Sequence, residues 1–204
     1  MKLIPSDIIE LYFITAIINV PSILEHGILS HNLIAKKKID HASVANVDVQ
    51  GWRINKVIPG KKKLHDYANL YLNARNPMLY VLLNKHRDLC VLRISDDVVR
   101  KPGVVMSDRN AARGWARFQS WPDGLSMLDK EELFALNWDD PDPYKKARLK
   151  GVMCAEVLVP DKVESRYIKG AYVSCQEALD RLTGLCTGFP VSINKQLFFQ
   201  GGVT

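Results

Sequence analysis

The sequence predicts an α+β fold. Three observations carry that prediction: strand-like and helical runs are interspersed, they do not alternate as regular strand–helix–strand units, and no repeat or Ser/Pro/Gly linker divides them. With 204 residues, 47% of them apolar and 25% charged, the composition excludes disorder, collagen and coiled coil. One domain spanning 1–204 is expected.

The elements follow in chain order. Leu11-Tyr12-Phe13-Ile14-Thr15 is rich in β-branched and aromatic residues and predicts a strand. Asn19 is a candidate cap for a short helix, with Pro21 in its first turn and Gly27 ending it. From Leu33 to Leu70 the chain is polar, lysine-rich and weakly periodic, which predicts a long, partly mobile segment rather than core, of a kind that is often functional. Met78–Leu83 and Leu89–Ile94 are apolar runs separated by five polar residues, a predicted hairpin. Ser107 is expected to cap a helix through Ala111 and Trp115, and a second helix is expected around Ser126–Phe134, before the acidic turn at Asp139–Pro143. Val152–Val159 predicts another strand, and Ser174-x-x-Glu177 a capping box for a helix through Leu182.

Several function classes lack their signatures. The run Leu11–Leu24 is too short to span a bilayer and follows Asp7 and Glu10 rather than a basic region, so a cytoplasmic protein with no membrane partner is expected. Cys90, Cys154, Cys175 and Cys186 have no zinc-knuckle spacing and are read as free, small apolar residues. The five histidines are scattered and make no metal spacing, so no metal is expected. There is no Gly-rich phosphate loop and no G-x-S-x-G elbow.

Charge is more informative. Against 22 acidic residues stand 28 basic ones, a net +6. Lysines cluster at 36–38 and 61–63, and Lys145, Lys146, Arg148 and Lys150 form a third group. Arg109, Arg113 and Arg117 would share one face of a helix. The pattern fits either solvated surfaces or a polyanionic partner. Glu156 is the most unusual residue: it is the only charge in Met153–Val159. A carboxylate among apolar strand residues costs several kcal/mol unless a partner or a task compensates. Either it reaches water or an arginine at a strand end, or it is aimed into a cleft to orient a hydroxyl or accept a proton.

Several blocks together resemble the DarT family of DNA ADP-ribosyltransferase toxins. They are Leu11–Thr15, Asn19–Ser30, Leu64-His65-Asp66-Tyr67, Arg75–Tyr80, Ser107–Ala112 and Ala155–Pro160. The resemblance implies an ADP-ribosyltransferase-like fold, a split, twisted β-sheet with surrounding helices that grips NAD as co-substrate. Phe13, Ile14 and Thr15 would lie along the nicotinamide, and Ser22 and Ser30 would line the same pocket. Arg53 matches the family's catalytic arginine and Glu156 its catalytic glutamate. Arg75, Met78 and Arg109 are candidates to face the flipped base, each equally readable as a surface or packing residue, while Lys145, Lys146 and Lys150 would hold single-stranded DNA by its phosphates. The implied partner is an antitoxin hydrolase, either NADAR-type or a macrodomain. Thymidine-modifying members usually carry histidine where this chain has Phe13. That departure tips the expected acceptor toward guanine, with thymine as the runner-up.

The chemistry can be stated from the residues. Breaking the nicotinamide–ribose bond develops positive charge on the ribose, which a carboxylate on the 2′-hydroxyl would stabilise. Two other readings stay open: a transferase acting on tRNA or protein, and a non-catalytic basic nucleic-acid-binding module.

Overall fold

Strand β1 (Glu10–Ala16) forms where the β-branched and aromatic run predicts it. The computed structural model describes residues 1–45 and 47–201. A 3-10 turn at Ile17–Asn19 leads into helix α1 (Val20–His26). Asn19 does not cap that helix. Its backbone is already helical, at φ −80° and ψ −17°, whereas capping needs an extended residue. Gly27 ends α1 at φ +86°, and a Cβ there would fall 2.4 Å from the Val163 carbonyl oxygen. That close approach lets β2 (Ile28–Leu29) pair with a later short strand.

The segment expected to be mobile and outside the core is built of short elements. It holds α2 (His31–Lys37), α3 (Val47–Ile54) and β3 (Tyr67–Tyr71). Leu64 and Leu70 within it are fully buried. Elements of five to eight residues are too short to display a period, which explains the weak signal.

The predicted hairpin is a correction too. Asn76 accepts a hydrogen bond from the Leu79 N–H at 3.1 Å and Pro77 occupies the first helical position, so Pro77–Tyr80 is helix α4. A 3-10 stretch follows, and only β4 (Leu89–Ser95) is a strand. Ser107 ends β5 (Val105–Ser107) instead of capping a helix. The chain then loops to β6 (Phe118–Ser120), closed by Asp108, whose N–H donates to the Arg117 carbonyl and whose carboxylate accepts the Arg117 N–H. Arg109, Arg113 and Arg117 therefore share no helix face.

The helix expected at 126–134 is divided at Leu128 into a 3-10 turn and α5 (Lys130–Leu133), capped by Asp129. The acidic turn leads directly into α6 (Pro143–Val152), capped by Asp142. Because α6 runs to Val152, the next strand starts later than predicted: β7 is Glu156–Pro160. β8 (Lys162–Val163) pairs with β2, and β9 (Ile168–Val173) follows. Helix α7 (Gln176–Leu185) lies where expected, but the capping box is not made. Ser174 instead donates to the His86 carbonyl and meets the His86 ring. β10 (Val191–Ile193) completes the chain's strands among the described residues.

Eight strands form one sheet in the order β10-β9-β4-β1-β3-β7-β5-β6, antiparallel except for the β9/β10 pair. β1 pairs with β4 along its whole length, and β3 with β7 likewise. Between β1 and β3 only Tyr12 and Tyr71 are in register. The sheet therefore splits there into two blades. Leu11, Leu70, Leu92 and Val157 from both blades share one buried cluster, each side chain contributing on the order of 1.5–3 kcal/mol. The α+β class and the split sheet are as predicted.

Candidate active site

The split opens into a cleft of about 830 Å³. β1 supplies Phe13, Ile14 and Thr15 to its wall, and β3 supplies Tyr67, Asn69 and Tyr71. The loop Ile39–Ala45 lies along it, held by Asn19. The Asn19 amide donates to the Ala42 carbonyl at 2.9 Å and to Thr15 Oγ1 at 3.1 Å, and its oxygen accepts the Ala42 N–H at 2.9 Å. The polar segment thus supplies part of the cleft wall.

Beneath the cleft lies an ion pair. Arg53 Nη1 and Nη2 donate to Glu156 Oε1 and Oε2, each at 3.1 Å, and the Ala111 N–H donates to Oε1 at 2.9 Å. Glu156 is fully buried, and the Arg53 side chain is 7% exposed. Strand position explains the aim: Glu156 opens β7 between Tyr71 of β3 and Ser107 of β5. Its own N–H donates to Ser107 Oγ at 3.2 Å, and that hydroxyl donates to the Arg109 carbonyl at 2.6 Å. Arg53 comes from the last turn of α3. Burial weakens the guanidinium's hold on its proton, but the Glu156 charge and hydrogen bonds outweigh it, and the pKa is raised above the ordinary arginine value. Burial, then the Glu156 charge, also raises the Tyr71 hydroxyl well above its usual range. Cys154 at the cleft is pushed up to about 12 by burial, which leaves it an unreactive thiol. Of the two readings of the sequence, Glu156 does reach an arginine; Arg53 lines the cleft, and the carboxylate lies buried behind it.

The other predicted site residues fall into groups. Ser22 lines the cleft. Ser30 does not: it is buried, and its hydroxyl caps α2 by accepting the Leu33 N–H. Met78 and Arg109 line the cleft, but Arg109 is spent on Asp108, with two bonds at 3.1 Å. Arg117 joins it on the same carboxylate, which is thereby held below the usual range despite burial. Arg75 lies outside the cleft lining, its guanidinium 3.9 Å from the Phe199 ring centroid and bonded to the Gln196 carbonyl. Lys150 reaches the cleft. Lys145 and Lys146 do not, and they pair with Asp140 at 3.9 Å and Asp139 at 2.6 Å.

Sequence reasoning missed several groups. The Ala111 N–H has no side-chain signature. Asn19 and Asp108 look like ordinary turn residues until their partners are in place. The histidines, scattered along the chain, converge: His26, His31, His41 and His65 all line the cleft. Among the described residues no three His, Cys, Asp or Glu side chains could hold a metal, and all four cysteines are free. No helix among them is long and apolar enough to cross a membrane.

A sheet split over a cleft, with a glutamate–arginine pair beneath it, is the architecture of an ADP-ribosyltransferase-like fold. A family model described as ssDNA thymidine ADP-ribosyltransferase, DarT, matches residues 12–200, and the chain belongs to the DarT family. A DNA ADP-ribosyl transferase–DNA ADP-ribosyl glycohydrolase fusion protein of Thermosipho africanus is 34% identical over 182 residues, covering 85% of this chain. The chain spans only 44% of that relative's length. The structure of Thermus sp. 2.9 DarT in complex with ADP-ribosylated ssDNA matches with a TM-score of 0.81 at 28% identity, over 97% of this chain and 100% of that one. The same Thermus protein in complex with NAD+ gives a TM-score of 0.73 at 27% identity, over 94% of this chain and 98% of the other.

Proposed function

We propose that this chain transfers ADP-ribose from NAD to a nucleobase in single-stranded DNA and releases nicotinamide. The observation that carries the reading is Glu156, a fully buried carboxylate held by the Ala111 N–H and by Arg53, which lines the split-sheet cleft. As the nicotinamide–ribose bond breaks, Glu156 stabilises the growing charge through the 2′-hydroxyl, and then accepts the proton that the attacking base nitrogen loses. Arg53 stays cationic and turns from Glu156 toward the pyrophosphate. Its withdrawal uncovers the carboxylate. The base must leave its stack to reach the sugar, which favours single-stranded DNA. Exposed Trp52 and Trp115 beside Arg113, whose guanidinium is 5.9 Å from the Trp52 ring centroid, offer flanking bases a stacking surface at the cleft.

Thymine is the acceptor that the family match favours over the guanine expected from Phe13. The Phe13 side chain packs against the main core cluster, so its identity speaks for packing at least as much as for the base. The glycohydrolase joined to the Thermosipho transferase supports an antitoxin hydrolase as partner, NADAR-type or macrodomain. Such a system would work in the cytoplasm. A purely nucleic-acid-binding role is the weaker reading, because Arg109, Arg117, Lys145 and Lys146 are already paired with carboxylates.

The test incubates the protein with NAD and two oligonucleotides, one lacking guanine and one lacking thymine, and follows nicotinamide release and oligonucleotide mass. Labelling of the guanine-free strand alone is expected. Labelling of the thymine-free strand alone reverses the choice of base. No nicotinamide release with either overturns the transferase reading.

A further inference from the structure

His65 is 4% exposed, and neither of its ring nitrogens has a hydrogen-bond partner among the described residues. Buried polar groups are nearly always paired, so such an imidazole needs an explanation. It lines the cleft, with its ring stacked on that of His31 at a centroid distance of 4.3 Å. The turn that carries it is fixed on both sides. The Leu64 N–H donates to the Lys56 carbonyl at 2.8 Å, and the Asp66 carboxylate accepts from the Asn32 amide at 2.6 Å. The ring is therefore presented to the cleft by a braced backbone.

Its protonation state narrows what it can bind. Burial, then the neighbouring His31 and Arg53, lower His65 to about 4, so at neutral pH the ring carries one N–H donor and one bare acceptor nitrogen. A phosphate offers acceptors only and would leave the bare nitrogen unpaired. A sugar hydroxyl both donates and accepts. Position narrows it further. His65 lies two residues before β3, whereas Glu156 is in register with Tyr71 at the strand's other end. By strand rise that is roughly 15 Å or more along the cleft. Arg53 pairs with Glu156 and also acts electrostatically on His65. Arg53 is thus within electrostatic reach of both Glu156 and His65, as the pyrophosphate of a dinucleotide lies between its two riboses.

We propose that His65 is a binding residue for a hydroxyl of the adenosine ribose of NAD. The inference rests on the NAD-dependent transferase reading given above. Its test measures calorimetric binding of NAD, and of the NAD analogue whose adenosine is 2′,3′-dideoxyadenosine, to the wild type, His65→Leu and His65→Gln. The wild type should prefer NAD by about tenfold, the scale of one buried hydrogen bond with its partner left unpaired. His65→Leu should bind both ligands equally, and His65→Gln should regain part of the preference. Without ligand, His65→Leu should melt at or above the wild-type temperature, because it removes an unpaired polar group. If His65 were only structural, His65→Leu would lower the melting temperature and leave the preference intact, which overturns the inference. Equal binding of both ligands by the wild type overturns it as well. If the wild type binds no NAD at all, the transferase reading itself fails.

Discussion

Substituting one member of the Arg53–Glu156 pair should cost more stability than substituting both. Among the described residues, Arg53→Met leaves the fully buried Glu156 with a single remaining donor to its carboxylate, the Ala111 N–H at 2.9 Å. Glu156→Leu leaves a guanidinium that is 7% exposed without its counter-charge. Breaking a buried ion pair from one side costs about 3–5 kcal/mol, whereas replacing both partners by apolar residues of similar volume is often close to neutral. For a chain of this size each kcal/mol moves the melting temperature by about 2–4 °C. Each single variant should therefore melt roughly 6–20 °C below the wild type, and Arg53→Met/Glu156→Leu should recover most of that loss. Thermal unfolding followed by circular dichroism reads all four proteins. Additive losses, with the double variant the least stable, would refute the claim that the two charges are held by each other.

Three further outcomes follow from the same geometry. The unfolded chain protonates His65 below its ordinary value of 6.5, whereas the folded chain resists until about 4. Its contribution is thus intact above pH 6.5 and falls as pH drops toward 4, by at most about 3 kcal/mol; melting scans at pH 7 and 5 should show this component in the wild type and not in His65→Leu. Asn19→Ala removes three hydrogen bonds that pin Ala42 and Thr15. It should lower stability by about 1–3 kcal/mol and raise the KM for NAD more than it changes kcat, because the wall loop loses its anchor. Lys150→Gln should reduce the log–log salt slope of oligonucleotide binding by about 0.7, one phosphate contact, while Lys145→Gln and Lys146→Gln, whose ammonium groups are paired, should change it little.

What the sequence makes legible is local or chemically odd. β1 is visible because five consecutive residues favour strand, and Glu156 because a lone charge in an apolar run needs a reason. Arg53 is legible only through family resemblance: on α3 it looks like any arginine near a helix end. The errors have physical causes. Met78–Leu83 is apolar enough for a strand, but Asn76 and Pro77 nucleate a helical turn ahead of it. Arginines spaced by four read as a helix face until Asp108 closes the loop and gathers two of them. The convergence of four histidines on one cleft comes from tertiary packing, which no spacing along the chain encodes.

The most direct measurement compares nicotinamide release by the wild type and Glu156→Gln, with NAD and a thymine-containing single strand, alongside calorimetric NAD binding by both. Glu156→Gln should lose release by roughly 10²–10⁴ with NAD binding retained, because the carboxylate acts chiefly on the transition state. Release by Glu156→Gln at a rate near the wild type's would contradict that role.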